Sequence, residues 1–189
     1  KHQPTLMPGQ IKMKDLDKNG VLDDHDKVLL GSKDPAFLFG FNNTVRYKNF
    51  DLNIYLYGEV NALKGASYYD DWTTMGYGFT QGRNSSQGFK DTWRHDNQHA
   101  KYANITGVGP DGAGDYFIKK ISYLRCRNIT LGYTIPVSNK ILNNIRVYAD
   151  VNNPFVLTNW TGLDPETDNG NSYAYPNVTS FSLGVDITF

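Results

Sequence analysis

The chain has 189 residues, 20% of them charged, and a formal net charge of +0 at pH 7, so no basic excess points to nucleic acid. Mean hydropathy is −0.52, and no apolar run approaches the ~18 residues of a membrane helix, which leaves a β-barrel open because barrel strands hide half their polarity in the lumen. Aromatic residues make up 14% and glycines number 18, a composition that suits an all-β protein with aromatic girdles and also a glycan-binding β-domain.

The chain opens on Lys1, with neither Met nor a signal peptide, and reads as part of a longer polypeptide. Residues 1–35 show no strand alternation but carry the sharpest chemical motif, Asp15-Leu-Asp-Lys-Asn19-Gly-Val-Leu-Asp23-Asp-His-Asp26. Oxygen-bearing side chains fill loop positions one, three, five, nine and twelve, with Gly20 at six and Leu22 at eight, the pattern of an EF-hand-type Ca²⁺ loop. In such a loop Asp15, Asp17 and Asn19 ligate by side chain, Val21 by its carbonyl, Asp23 directly or through water, and Asp26 closes the set. Asp26 stands where sensor loops have a bidentate Glu, and Pro4, Pro8 and Gly9 come too close before the loop for a flanking helix pair. It therefore reads as a lone structural loop; an acidic turn held by Asx hydrogen bonds without metal is the competing reading.

From Pro35 onward the pattern changes to a period of two. Phe37, Phe39, Phe41, Val45 and Tyr47 alternate with Gly40, Asn42, Thr44 and Arg46, and Phe50, Leu52, Ile54 and Leu56 alternate with Asp51, Asn53, Tyr55 and Tyr57. Only Lys48 and Asn49 separate the two, a hairpin-length link. A long segment, 61–120, follows, with Tyr68, Tyr69, Trp72, Trp93 and Tyr102. Its His95 and His99 have the four-residue spacing of helical metal ligands but lack the Glu of a zinc protease, and a surface helix is the better expectation. The third strand covers about Ile121–Ile135 and stops at Pro136, which has no N–H to give a ladder. The single cysteine, Cys126, lies in it and reads as a small structural side chain. In the fourth strand Ile145, Val147, Ala149 and Val151 oppose Arg146, Tyr148, Asp150 and Asn152.

Segment 157–178 contributes Trp160, Tyr173 and Tyr175, together with Asp164 and Glu166 around Pro165. Two carboxylates could serve glycoside hydrolysis, but at this spacing they read as solvated turn residues. The aromatic residues of the long segments suit stacking on sugar faces, anchoring a partner, or packing the loops on each other; Tyr68, Tyr69, Trp72, Trp93, Trp160, Tyr173 and Tyr175 are the candidate substrate contacts. The last strand alternates almost without fault. Thr179, Phe181, Leu183, Val185, Ile187 and Phe189 share one face, with Ser180, Ser182, Gly184, Asp186 and Thr188 on the other. At roughly 3.3 Å per residue and 45° tilt, about ten residues cover about 25 Å, the height of a barrel's apolar band.

Links 47–49 and 136–144 are short, whereas 61–120, 157–178 and the opening segment are long. Strict alternation of short and long links is the habit of membrane barrels, with short periplasmic turns and long outer loops. If Phe189 ends on the periplasmic side, all three long segments lie outside. Five strands cannot close a barrel, so the expected fold is all-β: the C-terminal strands of a large antiparallel transmembrane β-barrel with long extracellular loops. Residues 1–35 form an extracellular loop with the acidic motif, and 36–189 the last five strands. The alternative is a soluble β-rich glycan-binding module with a calcium loop. The stripe of Phe41, Ile54, Leu131, Val147 and Leu183 separates the two, because a soluble module buries it and a barrel turns it to lipid.

Several stretches, in order, resemble one family. They are Asp15–Asp26, Gly31-Ser-Lys-Asp-Pro35, Phe39-Gly-Phe-Asn-Asn43, Tyr47-Lys-Asn-Phe-Asp-Leu52 and Tyr123-Leu-Arg-Cys-Arg-Asn-Ile-Thr-Leu-Gly-Tyr-Thr-Ile-Pro136. Ile145-Arg-Val-Tyr148, Asn152-Asn153, Thr161-Gly-Leu-Asp-Pro-Glu166, Ser172-Tyr-Ala-Tyr-Pro176 and Phe181-Ser-Leu-Gly-Val-Asp-Ile-Thr-Phe189 continue the match. Together they resemble SusC/RagA-type TonB-dependent outer-membrane transporters over nearly the whole chain, the variable 61–115 stretch excepted. Cys126 sits where the family more often has an aliphatic residue. The resemblance implies a plugged barrel of about 22 strands in the outer membrane of a Gram-negative, Bacteroidota-type bacterium. It implies import of oligosaccharides or peptides, driven by TonB through an N-terminal region outside this chain, with a SusD-like lipoprotein capping the extracellular face. It implies no covalent chemistry, and Phe189 with the apolar residues before it resembles the signal read by the barrel-insertion machinery.

Overall fold

The structure is a computed structural model that describes residues 6–65, 87–104, 115–116, 118–137, 142–167 and 175–189. Five strands form one antiparallel sheet: β1 (Phe37–Tyr47), β2 (Phe50–Lys64), β3 (Lys119–Ile135), β4 (Asn144–Thr158) and β5 (Ser180–Thr188). Their spatial order follows the chain, so every strand lies beside its sequence neighbour. This is the meander that period-two alternation and hairpin-length links favour. Lys48 takes φ 53 in the two-residue loop that joins β1 to β2, and the Thr134 N–H donates to the Asn49 carbonyl at 2.8 Å, tying the tip of that hairpin to β3.

The register sorts the side chains into two unlike faces. Phe41 lies opposite Leu56 and Val45 opposite Leu52; Leu131 lies opposite Ala149, which in turn faces Leu183. These positions form an apolar face that nothing covers among the described residues. Phe41 is 54% exposed, Leu131 50% and Leu183 88%. Val147 is also exposed, and Ile54 is half-buried. A soluble module would have buried this stripe in a core, so the structure favours the barrel wall. On the opposite face the partners are polar: Asn42 with Tyr55, Thr44 with Asn53, Thr130 with Asp150, and Asp150 with Ser182.

Two strands run further than their alternation suggests. Beyond Tyr57, β2 continues through Asn61, which has a positive φ of 58. Beyond Val151, β4 continues through Asn153, at φ 49. The β3–β4 register shifts between Cys126 and Asn128, opposite Asn153, and an asparagine tolerates this left-handed backbone better than most residues. The polypeptide falls into two compact units. One comprises 34–62, 121–160 and 175–189, and the other 1–33, 63–120 and 161–174. The opening segment thus clusters with the two long links. The first unit has a small core of Ala62, Ile121, Tyr123 and Trp160, with Tyr57 and Val156 packed against it. In the second, the Gly9 backbone lies so close to the Trp93 indole that a Cβ would overlap the ring. There the Asn104 N–H donates to the Gly9 carbonyl at 2.7 Å, and the Lys64 ammonium donates to the Pro165 carbonyl.

Candidate functional site

The polar face of the sheet carries a connected set of charged and amide groups. Arg146 on β4 reaches across β3 to Asp51 on β2, with Nη2 to Oδ2 at 2.6 Å and Nε to Oδ1 at 3.0 Å. Its Nη1 donates to Asp186 on β5 at 3.2 Å. One guanidinium thereby links β2, β4 and β5 through a bidentate pair and a second carboxylate. The strand between leaves room because it presents Gly132, where a Cβ would stand 2.5 Å from both Arg146 and Asp51. Tyr148 uses Gly184 similarly, its ring lying over the glycine, while the Arg146 guanidinium sits 5.0 Å from the Tyr148 ring centroid. Further along this face Asp150 accepts from Asn128, Thr130 and Asn152. Asn53 donates to both Asn42 and Thr44 at 2.8 Å. These hydrogen-bonded polar groups suit a wet lumen wall and not lipid.

The acidic loop is organised by its own side chains. The Gly20 N–H donates to Asp15 Oδ2 at 2.9 Å, the Asn19 N–H to Asp17 Oδ1 at 3.0 Å, and the Val21 N–H to Asn19 Oδ1 at 2.7 Å. Gly20 takes φ 87 and Lys18 φ 61; the glycine supplies the sharp turn at position six. Ligand oxygens of Asp15, Asp17 and Asp26 lie within 4.8 Å of one another, so three of the six expected ligands converge as carboxylates. Asp23 instead caps the short 3₁₀ helix Asp24–Asp26, accepting from the His25 N–H at 2.8 Å. Asp26 completes the capping box at Asp23 N and also accepts from the Leu16 N–H at 2.6 Å. The Lys27 ammonium hydrogen-bonds Asp24 at 2.6 Å and holds that carboxyl below its ordinary range.

The aromatic candidates separate. Tyr68, Tyr69, Trp72 and Tyr173 lie outside the described residues. Trp160 is only 6% exposed within the core of the first unit, so its indole is taken up by packing. Trp93 is half-buried, covered by Gly9 and set edge-on to His95 at 5.3 Å. Tyr175, 81% exposed, is the described candidate that stands open to a ligand. His95 and His99 do not share a helix: Arg94 and Asn97 exchange backbone hydrogen bonds around a tight turn. Asp164 is not a solvated turn residue. It is buried, and its Oδ1 accepts from the Glu166 N–H at 2.9 Å in an Asx turn beside the buried Pro165. Cys126 is fully buried, as a structural thiol should be. The Asp51–Arg146–Asp186 linkage was not apparent from spacing, since Asp51 and Arg146 stand 95 residues apart; the one hint was that all three fall on the polar side of their strands.

Comparison with known proteins puts these features in context. No family model matches the chain. The TonB-dependent receptor SusC of Bacteroides thetaiotaomicron is 34% identical over 180 residues, covering 93% of this chain and 17% of the relative. A TonB-dependent receptor of Formosa agariphila is 29% identical over 198 residues, covering 96% of this chain and 19% of the relative. The chain thus spans less than a fifth of the length of these relatives. Among solved structures, the RagAB peptide transporter superposes with a TM-score of 0.71 at 22% identity, over 84% of this chain and 18% of that one. The RagAB peptide importer in its closed-closed state gives 0.73 at 22% identity, over 96% and 20%. The structural likeness supplies the fold: an antiparallel barrel wall, polar on one face and apolar on the other. Joined to the sequence relatives, it makes this chain a portion of a TonB-dependent receptor of the SusC/RagA type.

Proposed function

We propose that the chain is part of an outer-membrane transporter that imports oligosaccharides or peptides under TonB control in a Gram-negative, Bacteroidota-type bacterium, together with a SusD-like surface lipoprotein. The observation that carries this reading is the two-faced sheet. One face exposes Phe41, Leu131 and Leu183, which none of the described residues covers; the other joins β2, β4 and β5 through Arg146. Lipid satisfies the first face and a water-filled, ligand-conducting lumen the second. The mechanism is binding, movement of the lumen contents and passage, with no bond made or broken in the substrate. Tyr175 is the first of the described aromatics to test as a substrate contact. Fractionation of cells expressing the full-length protein, followed by detergent gels with and without heating, tests the reading. Outer-membrane, heat-modifiable material is expected; a soluble protein would sink it.

We further propose that the acidic loop holds Ca²⁺ as a structural ion through Asp15, Asp17, Asn19, the Val21 carbonyl and Asp26, with Asp23 reached through water. Gly20 at position six and the convergence of Asp15, Asp17 and Asp26 support this. Terbium luminescence on the full-length protein, competed with Ca²⁺, is the test. Signal that survives Asp17→Ala together with Asp15→Ala would place the ion elsewhere.

A further inference from the structure

At the end of the sheet that carries the two-residue β1–β2 loop, the polar face opens into a pocket of about 340 Å³. Arg46, Lys48, Asn49, Asp51, Thr134 and Arg146 line it, so three cations face one carboxylate. The carboxylate is already committed. Each oxygen of Asp51 accepts from Arg146, and Arg146 gives its other terminal nitrogen to Asp186. The remaining donors are not committed. Arg46 lies opposite Asp51 in the register, yet among the described residues neither its guanidinium nor the Lys48 ammonium is paired with a carboxylate. The Lys48 ammonium stands 5.5 Å from the Tyr47 ring centroid, a contact with a ring face that leaves its N–H groups able to reach an acceptor. The Asn49 amide and the Thr134 hydroxyl add further donors to the lining. The frame is fixed by the strands: the Thr134 N–H holds the Asn49 carbonyl at 2.8 Å, and Arg146 bridges from β4 to β2.

We propose that this pocket binds an oxyanion, a carboxylate or a phosphate, at the inner mouth of the lumen. Its placement rests on the transporter reading, in which the polar face lines the lumen and a two-residue link lies on the periplasmic side. The choice of ligand rests on the side chains. Arg146 with Asp51 and Asp186 carries one net negative charge, which Arg46 and Lys48 together outweigh. A guanidinium offers parallel N–H groups to two oxygens of one anion, and the ammonium adds a point charge. A cation would meet a carboxylate already bonded through both oxygens, and a neutral sugar would leave both charges unmatched. Two sources could present an oxyanion here: an anionic solute in the lumen, or the headgroup of an anionic lipid at the inner rim. The solute is the source assigned, because Asp51, Thr134 and Arg146 stand on the polar face.

The test uses the full-length protein purified in a neutral detergent. A water-soluble acetylating reagent modifies exposed lysines, and peptide mass spectrometry reads the rate at Lys48 against Lys33, which is exposed and lies outside the pocket. The probe is inorganic phosphate, with chloride at matched ionic strength controlling for screening. Phosphate is expected to slow acetylation of Lys48 several-fold and to leave Lys33 unchanged. Arg46→Gln should abolish that protection while heat-modifiable migration shows the variant to be folded. Equal rates in phosphate and chloride, protection that survives Arg46→Gln, or a Lys48 that is unreactive before any anion is added would each overturn the site; heat-modifiable, outer-membrane protein would still uphold the transporter reading. Nanodiscs separate the sources. Protection by phosphate in phosphatidylcholine discs supports a lumen solute; protection by phosphatidylglycerol discs with none from phosphate overturns that source in favour of a headgroup. A soluble protein without heat-modifiable migration would remove the transporter reading, and with it the placement at the lumen mouth, whatever Lys48 shows.

Discussion

Gly132 earns its place by having no side chain. Arg146 and Asp51 meet in the space that a β-carbon there would occupy, 2.5 Å from each. Gly132→Val should therefore separate the pair without altering either charge, leaving a guanidinium and a carboxylate short of partners on the polar face. Loss of charge-assisted hydrogen bonds of this kind costs about 1.5–3 kcal/mol. The expected readout is a lower temperature for the folded-to-unfolded band shift in detergent gels. Arg146→Lys should show part of the same loss, because an ammonium cannot make the bidentate contact with Asp51. A Gly132→Val protein that shifts at the original temperature would mean the linkage contributes nothing. Neither residue stood out in the sequence, where Gly132 was one small residue in an alternation; the linkage depends on strands brought together from 95 residues apart. The acidic loop was legible at this scale because most of its hydrogen bonds are local, the side chains of Asp15, Asp17 and Asn19 each reaching an N–H a few positions on. Removing Asp23 should cost the 3₁₀ helix its cap, about 1 kcal/mol, confined to 23–27. Faster hydrogen exchange at His25 and Asp26, with the strands unchanged, is the expected measurement.

At the level of strands, the two faces make opposite predictions for the same substitution. Leu183 lies on the apolar face, paired with Ala149 and 88% exposed. Arginine there, near mid-membrane, should cost about 2–4 kcal/mol. Arginine at Ser182, one residue away on the polar face opposite Asp150, should cost far less. Equal effects in the heat-modifiability assay would mean that the apolar face does not meet lipid. Period-two alternation revealed β1 and β5 nearly whole because their pairing is regular throughout. It failed at the far ends of β2 and β4, where Asn61 and Asn153 adopt left-handed backbone and break the count without ending the strand. Trp160 shows the related limit for sites: an aromatic in a long link looks the same in sequence whether it binds a ligand or, as here, closes a core over Ile121 and Tyr123.

For the molecule as a whole, the decisive property is sidedness. The two-residue loop at Lys48 and Asn49 and the long link that contains Leu163 should lie on opposite sides of the membrane, because one strand crossing separates each successive link. Within this chain the single cysteine, Cys126, is fully buried and adds little background to thiol labelling; cysteines elsewhere in the full-length protein are replaced first. Leu163 is exposed, and so is Lys48; single cysteines at these positions would accept a bulky maleimide that cannot cross the outer membrane. On intact cells expressing the full-length protein, Leu163→Cys should label and Lys48→Cys should not; permeabilising the outer membrane should then expose Lys48→Cys. Labelling of both on intact cells would place them on one side, which no antiparallel barrel of this strand order allows. Labelling of Lys48→Cys alone would invert the orientation, putting the acidic loop in the periplasm. The same experiment thus decides whether the alternation of short and long links, read first from the sequence, has the physical cause assigned to it: strand ends anchored at two different interfaces.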